Sequence, residues 1–201
     1  MLNVGLTGGI ACGKSTVARM FVENGAILID FDELAHAVQE PDGNVWCEIV
    51  RHFGEDILQG DRTIDRRGLG EMVFADQEKR VLLNRIVHPA IFEEWQRRLE
   101  EIRKTTPDAI VISDIPLLIE AGMKELVDLL VLVYITPEEQ IRRVMARDGF
   151  SREEAERRLA AQMPIDEKLR FADIVIRNEG LPEETRRSVS EVWKNIVLRS
   201  E

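Results

Sequence analysis

The chain alternates between short, predominantly apolar runs and longer stretches of mixed charge. Four apolar runs stand out, Leu2–Leu6, Ala26–Ile29, Ala109–Ser113 and Leu126–Ile135, with a shorter fifth at Asp173–Ile176. Each is rich in Val, Ile or Leu and lacks polar alternation, which predicts strands covered on both faces. Helical patterns separate them, so the fold class is α/β with a parallel sheet between helix layers.

Two segments depart from this alternation. Between Phe31 and Thr106 there is no strand pattern; helical segments are predicted around Glu33–Gln39, Val45–Phe53, Gly68–Phe74 and from about Pro89 to Lys104. From Pro137 to Phe171 the chain is strongly charged and predicts a pair of helices. The first opens with Thr136-Pro-Glu-Glu139 and the second with Ser151-Arg-Glu-Glu154, both capping-box patterns. Asp148-Gly149 supplies the turn between them. A last helix is predicted over about Glu183–Leu198. The pattern is thus one domain over 1–201, with a core of 1–31, 108–136 and 172–201, a helical insertion over 32–107 and a second one over 137–171.

The chain has 201 residues, enough for one α/β core with insertions. Its formal net charge of -10 lacks the basic field of a nucleic-acid binder. Any anion must therefore be held by a local cluster set against the overall charge. Cys12 and Cys47 form neither a disulfide framework nor a metal spacing. No stretch approaches the ~18 apolar residues of a membrane span, and the start of the chain carries no basic leader pattern. The expected address is the cytoplasm, with no nucleic-acid or membrane partner. Nothing in the sequence sets an oligomeric state.

Gly8-Gly-Ile-Ala-Cys-Gly13-Lys14-Ser15 fits G-x-x-x-x-G-K-[ST], with a predicted strand leading in and an amphipathic helix leading out. Glycine lets the backbone wrap closely around phosphate, with successive N–H groups as donors. The following helix aims its positive end at the same oxygens. Lys14 can reach the β- and γ-phosphates and the Ser15 hydroxyl can ligate magnesium. The expected nucleotide-binding set is Gly8, Gly9, Ala11, Cys12, Gly13, Lys14, Ser15 and Thr16, with ATP as co-substrate and Mg²⁺ as its ion. Cys12, at a helix N-terminus, is either a thiol of lowered pKa or a small side chain among working amides.

Other acids and bases leave alternatives open. Asp30 and Asp32 follow the second strand, on the side where such sheets bind ligands. Asp32 either deprotonates an attacking hydroxyl or caps the helix from Glu33. Asp114 ends the third strand, as an acid that holds magnesium through water or as part of a turn before Pro116. Arg143 and Arg147 share a helix face; they clamp phosphate charge or form a solvated basic surface. The histidines make no metal spacing. Other kinases of this architecture, acting on a nucleoside monophosphate or small metabolite, and nucleotide-dependent switches share the loop.

An ordered combination narrows the choice: Gly5–Ile10 through Gly13–Thr16, Asp30-Phe-Asp32, Phe53-Gly54, Ile64-Asp65-Arg66, His88-Pro89, Ile115-Pro-Leu-Leu118 with Glu120, Arg143, Arg147, Gln162, Ala172-Asp173 and Asn178. With these residues the chain resembles the dephospho-coenzyme A kinase family nearly end to end. The resemblance implies a three-layer phosphate-loop fold with a five-stranded parallel sheet. It implies that 32–107 receives the substrate dephospho-CoA and that 137–171 is a lid. It further implies γ-phosphate transfer from ATP to the ribose 3′-hydroxyl. Asp32 then falls on the catalytic base, Arg143 and Arg147 on the lid arginines, and Arg66 and His88 on substrate contacts or structural positions. Two residues differ from the common family pattern: Ala11-Cys12 replaces Gly-Ser, and Phe31 replaces alanine.

Overall fold

The computed structural model describes residues 1–200; Glu201, at the end of the expected core segment, lies outside it. The chain divides into two compact units, one formed by Met1–Asp30 with the segment from Ile102 onward, the other by Phe31–Glu101.

The first unit is built on five parallel strands, β1 (Leu2–Gly8), β2 (Ile27–Asp30), β3 (Ile110–Asp114), β4 (Leu129–Tyr134) and β5 (Ile174–Arg177). They lie in the order β2-β3-β1-β4-β5. Side chains alternate across a strand, and both sets are buried. Val4, Leu6, Ile110, Ile112, Val131 and Val133 share a core with α1 (Lys14–Glu23) and α9 (Pro182–Ser200). Val111, Leu130 and Leu132, of the opposite parity, are equally shielded from water. Burial on both faces is why these strands read as continuous apolar runs.

β1 lies between β3 and β4, which leave the sheet in opposite directions from it. That is the switch point at which open α/β sheets bind ligands, just past the strands' carboxyl ends. At this edge Leu6 is in register with Asp114, and Asp114 with Asp30. The loop after β1 and the acids closing β2 and β3 therefore gather on one rim of the sheet.

Most boundaries shift by one or two residues from the sequence expectation, and three differences have a local cause. The fourth strand starts at Leu129 rather than Leu126, because Lys124–Leu126 forms a 3-10 turn. Asp128 then closes the turn, its carboxylate accepting from Asn3 N–H at 2.7 Å and its own N–H donating to the Asn3 carbonyl at 2.8 Å. The fifth strand runs Ile174–Arg177, while Asp173 exchanges hydrogen bonds with Leu130 at the strand start. Finally, the long helix α5 spans Gln77–Thr105 and passes through Pro89 instead of starting there. Its true start signal is Asp76, whose carboxylate accepts from the N–H groups of Glu78 and Lys79.

The second unit also contains α2 (Phe31–Ala37), α3 (Asn44–Phe53) and α4 (Arg66–Ala75). Trp46, Ile49, Ile57, Ile64, Leu69 and Val87 form its core. An isolated antiparallel bridge, Leu58 to Ile64, is its β pairing among the described residues, in keeping with the absence of a strand pattern. Asp65 caps α4 by accepting from the N–H groups of Arg67 and Gly68. Trp95 packs edge-on against Phe31, with Phe92 at the same centroid distance of 5.5 Å. The bulk of Phe31 thus has an aromatic neighbour of its own.

Trp95 is almost fully buried. Trp95→Ala is expected to lower stability by about 3–5 kcal/mol in urea-unfolding measurements; a loss under about 1 kcal/mol would show that the aromatic group carries little of this packing.

Candidate active site

The loop between β1 and α1 is shaped by its backbone. Gly13 has φ 83° and Ala11 φ 58°, both in the left-handed region. Glycine suits this conformation, and a Cβ at Gly13 would also crowd the Asn178 amide that braces the loop. Ala11 adopts the same region at a cost of about 1–2 kcal/mol. Its methyl packs, with Ile10, against Ile141, Val144 and Ala155, a contact that glycine would lack. Helix α1 begins at Lys14, so the N–H groups of Lys14 and Ser15 have no carbonyl one turn back. Ser15 is exposed in this first turn, Thr16 is half-buried, and the Thr16 N–H donates to the Gly13 carbonyl at 3.0 Å.

Side chains from later in the chain hold this backbone from behind. They come from α6 (Pro137–Asp148), from α8 (Ile165–Lys168) and from just past the ends of α7 (Arg152–Ala160) and β5. Gln140 Nε2 donates to the Ile10 carbonyl at 2.8 Å, and the Ile10 N–H donates to Gln162 Oε1 at 3.1 Å. Asn178 Nδ2 donates to the Cys12 carbonyl at 2.8 Å, while its Oδ1 accepts from Thr185 Oγ at 2.8 Å. Buried Gln140 at last explains itself on the apolar stripe of α6, beside Ile141 and Val144.

Lys14 pairs with the Asp114 carboxylate, which is 1% exposed. Arg143 is half-buried. Its Nε donates to Glu139 at 2.7 Å and its guanidinium NH2 to the Asn178 carbonyl at 2.7 Å, on the residue that braces the loop. Arg147 is largely exposed and pairs with its neighbour Asp148 at 2.8 Å; the structure brings Arg143, but not Arg147, against the loop's supports. Hydrogen bonds from Arg142 and then Arg143 hold the Glu139 carboxyl down at about 2, so it is charged at neutral pH. The full capping box predicted at Thr136 is halved, because Glu139 serves these arginines and only the Thr136 hydroxyl caps the helix. At Ser151 both halves form.

Asp32 lies in the second unit, exposed, as the second residue of α2. Since that helix starts at Phe31, Asp32 sits within its first turn and is not the N-cap. Arg66, also exposed, borders a cavity of about 340 Å³ with Gln39, Gln59, Thr63 and Asp65. His88 is exposed on α5 and outside that lining. Glu120, one of the residues of the family pattern, pairs with Lys168 at 2.7 Å and accepts the Met163 N–H at 3.2 Å. No group of three or more His, Cys, Asp or Glu that could hold a metal occurs among the described residues. One hydroxyl and one or two acids suit magnesium, which takes much of its shell from water and phosphate; Ser15 and Asp114 fit that demand. No helix among the described residues is long and apolar enough to cross a membrane.

The family model described as dephospho-CoA kinase matches residues 2–184. The chain belongs to the dephospho-CoA kinase family. A curated member of the family from Syntrophus aciditrophicus is 56% identical over 99% of this chain and 85% of its own length. The structure of the dephospho-CoA kinase from Campylobacter jejuni superposes with a TM-score of 0.77 at 29% identity, covering 99% of this chain and 98% of that one. The shikimate kinase from Acinetobacter baumannii, at 18% identity, TM-score 0.57 and coverage of 99% and 94%, shares the fold. The family match spans both helical insertions as well as the loop.

Cys12 is buried, and burial is the main reason its thiol is pushed up to about 11, against opposing pulls led by the Lys14 N–H. The lowered-pKa alternative is therefore reversed: the helix terminus is outweighed by loss of water. At pH 8 an alkylating reagent is expected to modify exposed Cys47 and to spare Cys12 until the chain unfolds. Equal labelling of both in the native protein, read by peptide mass, would contradict this.

Proposed function

We propose that the chain transfers the γ-phosphate of ATP to the ribose 3′-hydroxyl of dephospho-CoA, giving CoA and ADP. The observation that carries this reading is the loop whose Lys14 meets a buried Asp114, in a chain matched to the family across residues 2–184. A switch protein needs the loop alone. It has no use for the family's pattern through 32–107 and 137–171.

In this reading the triphosphate lies along the N–H groups of the loop and α1. The Lys14 ammonium moves from the Asp114 carboxylate to the β- and γ-oxygens, where it neutralises charge that spreads in a loose transition state. A lysine at ~4 Å from such a charge contributes about 4 kcal/mol at an effective dielectric of ~20. Ser15 and Asp114 would hold magnesium, which supplies further neutralisation of the phosphate oxygens when bound. Asp32, the second acid of Asp30-Phe31-Asp32, accepts the proton of the attacking hydroxyl. Segment 32–107 receives dephospho-CoA, with Arg66 and His88 as its contacts. Segment 137–171 acts as the lid. Arg143 serves the nucleotide phosphates from the loop's edge, and Arg147 joins it by giving up the exposed Asp148 pair, the kind of surface pair that contributes little. The two unpaired cysteines support a cytoplasmic address.

The test is an acceptor screen with labelled ATP. Label is expected on the 3′-position of dephospho-CoA and not on CMP, UMP, shikimate or gluconate; label on one of those instead would reassign the substrate. Within that assay Lys14→Met is expected to weaken both ATP binding and turnover. Asp32→Asn is expected to lower kcat by about 10²–10⁴-fold with ATP affinity nearly intact. Loss of ATP binding in Asp32→Asn would make that residue a magnesium or structural group.

A further inference from the structure

Lys168 is the last residue of α8, and its side chain is 0% exposed. Its Nζ lies 2.7 Å from Glu120 Oε1 and 3.4 Å from the carbonyl of Gly8, where β1 becomes the phosphate loop. The same Glu120 oxygen accepts the Met163 N–H at 3.2 Å. A buried ammonium with one carboxylate partner is a costly way to fill space, since apolar side chains of similar volume often serve stability equally well. What an apolar group cannot supply is a donor to Gly8 and a fixed positive charge behind a loop that takes a polyanion. The neighbouring ties at Ile10, from Gln140 and Gln162, are neutral; the tie at Gly8 is the charged one among them.

We propose that Lys168 is a positioning residue for the nucleotide: its buried ammonium, balanced by Glu120, fixes the Gly8 carbonyl at the entry to the loop and adds positive charge behind it. The proposal rests on the kinase reading for its ligand. It assigns Glu120 to Lys168 and away from magnesium. It also gives α8 a direct link to the nucleotide site, through a side chain that touches neither substrate.

Three variants separate this role from simple packing. Glu120→Gln keeps an oxygen for the Met163 N–H but leaves the enclosed ammonium without its counter-charge, so it is expected to lower the melting temperature. Lys168→Met strands the Glu120 charge and is expected to lose both thermal stability and ATP affinity. The double variant Lys168→Met/Glu120→Gln removes the whole pair. Its melting temperature is expected to return to within roughly 3 °C of the wild type, about 1 kcal/mol for a chain of this size. Its KM for ATP, and its Kd for MgATP by calorimetry, should nevertheless remain about tenfold raised, with the KM for dephospho-CoA unchanged. Recovery of ATP affinity together with melting temperature in the double variant would overturn the proposal, as would an unchanged KM for ATP in Lys168→Met. Wild-type protein that bound MgATP but labelled no dephospho-CoA would defeat the substrate reading instead, and the MgATP dissociation constants would still decide the role of Lys168.

Discussion

A phosphate loop works only if its carbonyls are held away from the ligand, and in this chain that restraint comes from side chains more than a hundred residues downstream. Gln140, Gln162, Lys168 and Asn178 each engage a loop carbonyl or N–H. With the carbonyls occupied from behind, the loop keeps its left-handed turns at Ala11 and Gly13. The start of α1 keeps its donors turned outward. The glycines permit the shape, and the polar anchors select it.

The electrostatics follow the same economy. The chain carries a formal charge of -10, yet three cations converge on the loop and its braces, and each has an acid: Lys14 with Asp114, Lys168 with Glu120, Arg143 with Glu139. A polyphosphate arriving here exchanges partners instead of meeting bare charge. Exchange is easiest where the pair is partly wet, as at Lys14 and Arg143, and hardest at Lys168, which is wholly enclosed. The first two suit groups that move onto substrate, the third a group that stays.

Much of this was legible in the sequence, for identifiable reasons. Strands buried on both faces write themselves as apolar runs, and a glycine-rich turn between strand and helix has few other uses. Asp114 was visible as an acid ending a strand. Lys168 was not, because it closes a four-residue helix with no periodicity to set it inward, and nothing local marks Glu120 as its counter-ion. Gln140 carried a faint signal, a polar residue on the apolar stripe of α6. The start of α5 differs because the sequence reading gave Pro89 more weight than the Asp76 cap, and burial decides between the two readings of Cys12 in favour of the small, unreactive side chain. Lys168, Glu120 and Gln140 take their surroundings from distant sequence, whereas the Asp76 cap is local.

Main-chain donors and the Lys14 ammonium at the first strand–helix junction are what would grip a triphosphate. Titration calorimetry of the full chain with MgATP and, separately, with AMP measures that grip directly. One site per chain for MgATP, and binding of AMP weaker by at least two orders of magnitude, is the result this account predicts. AMP binding as tightly as MgATP, or no uptake of either, would contradict it.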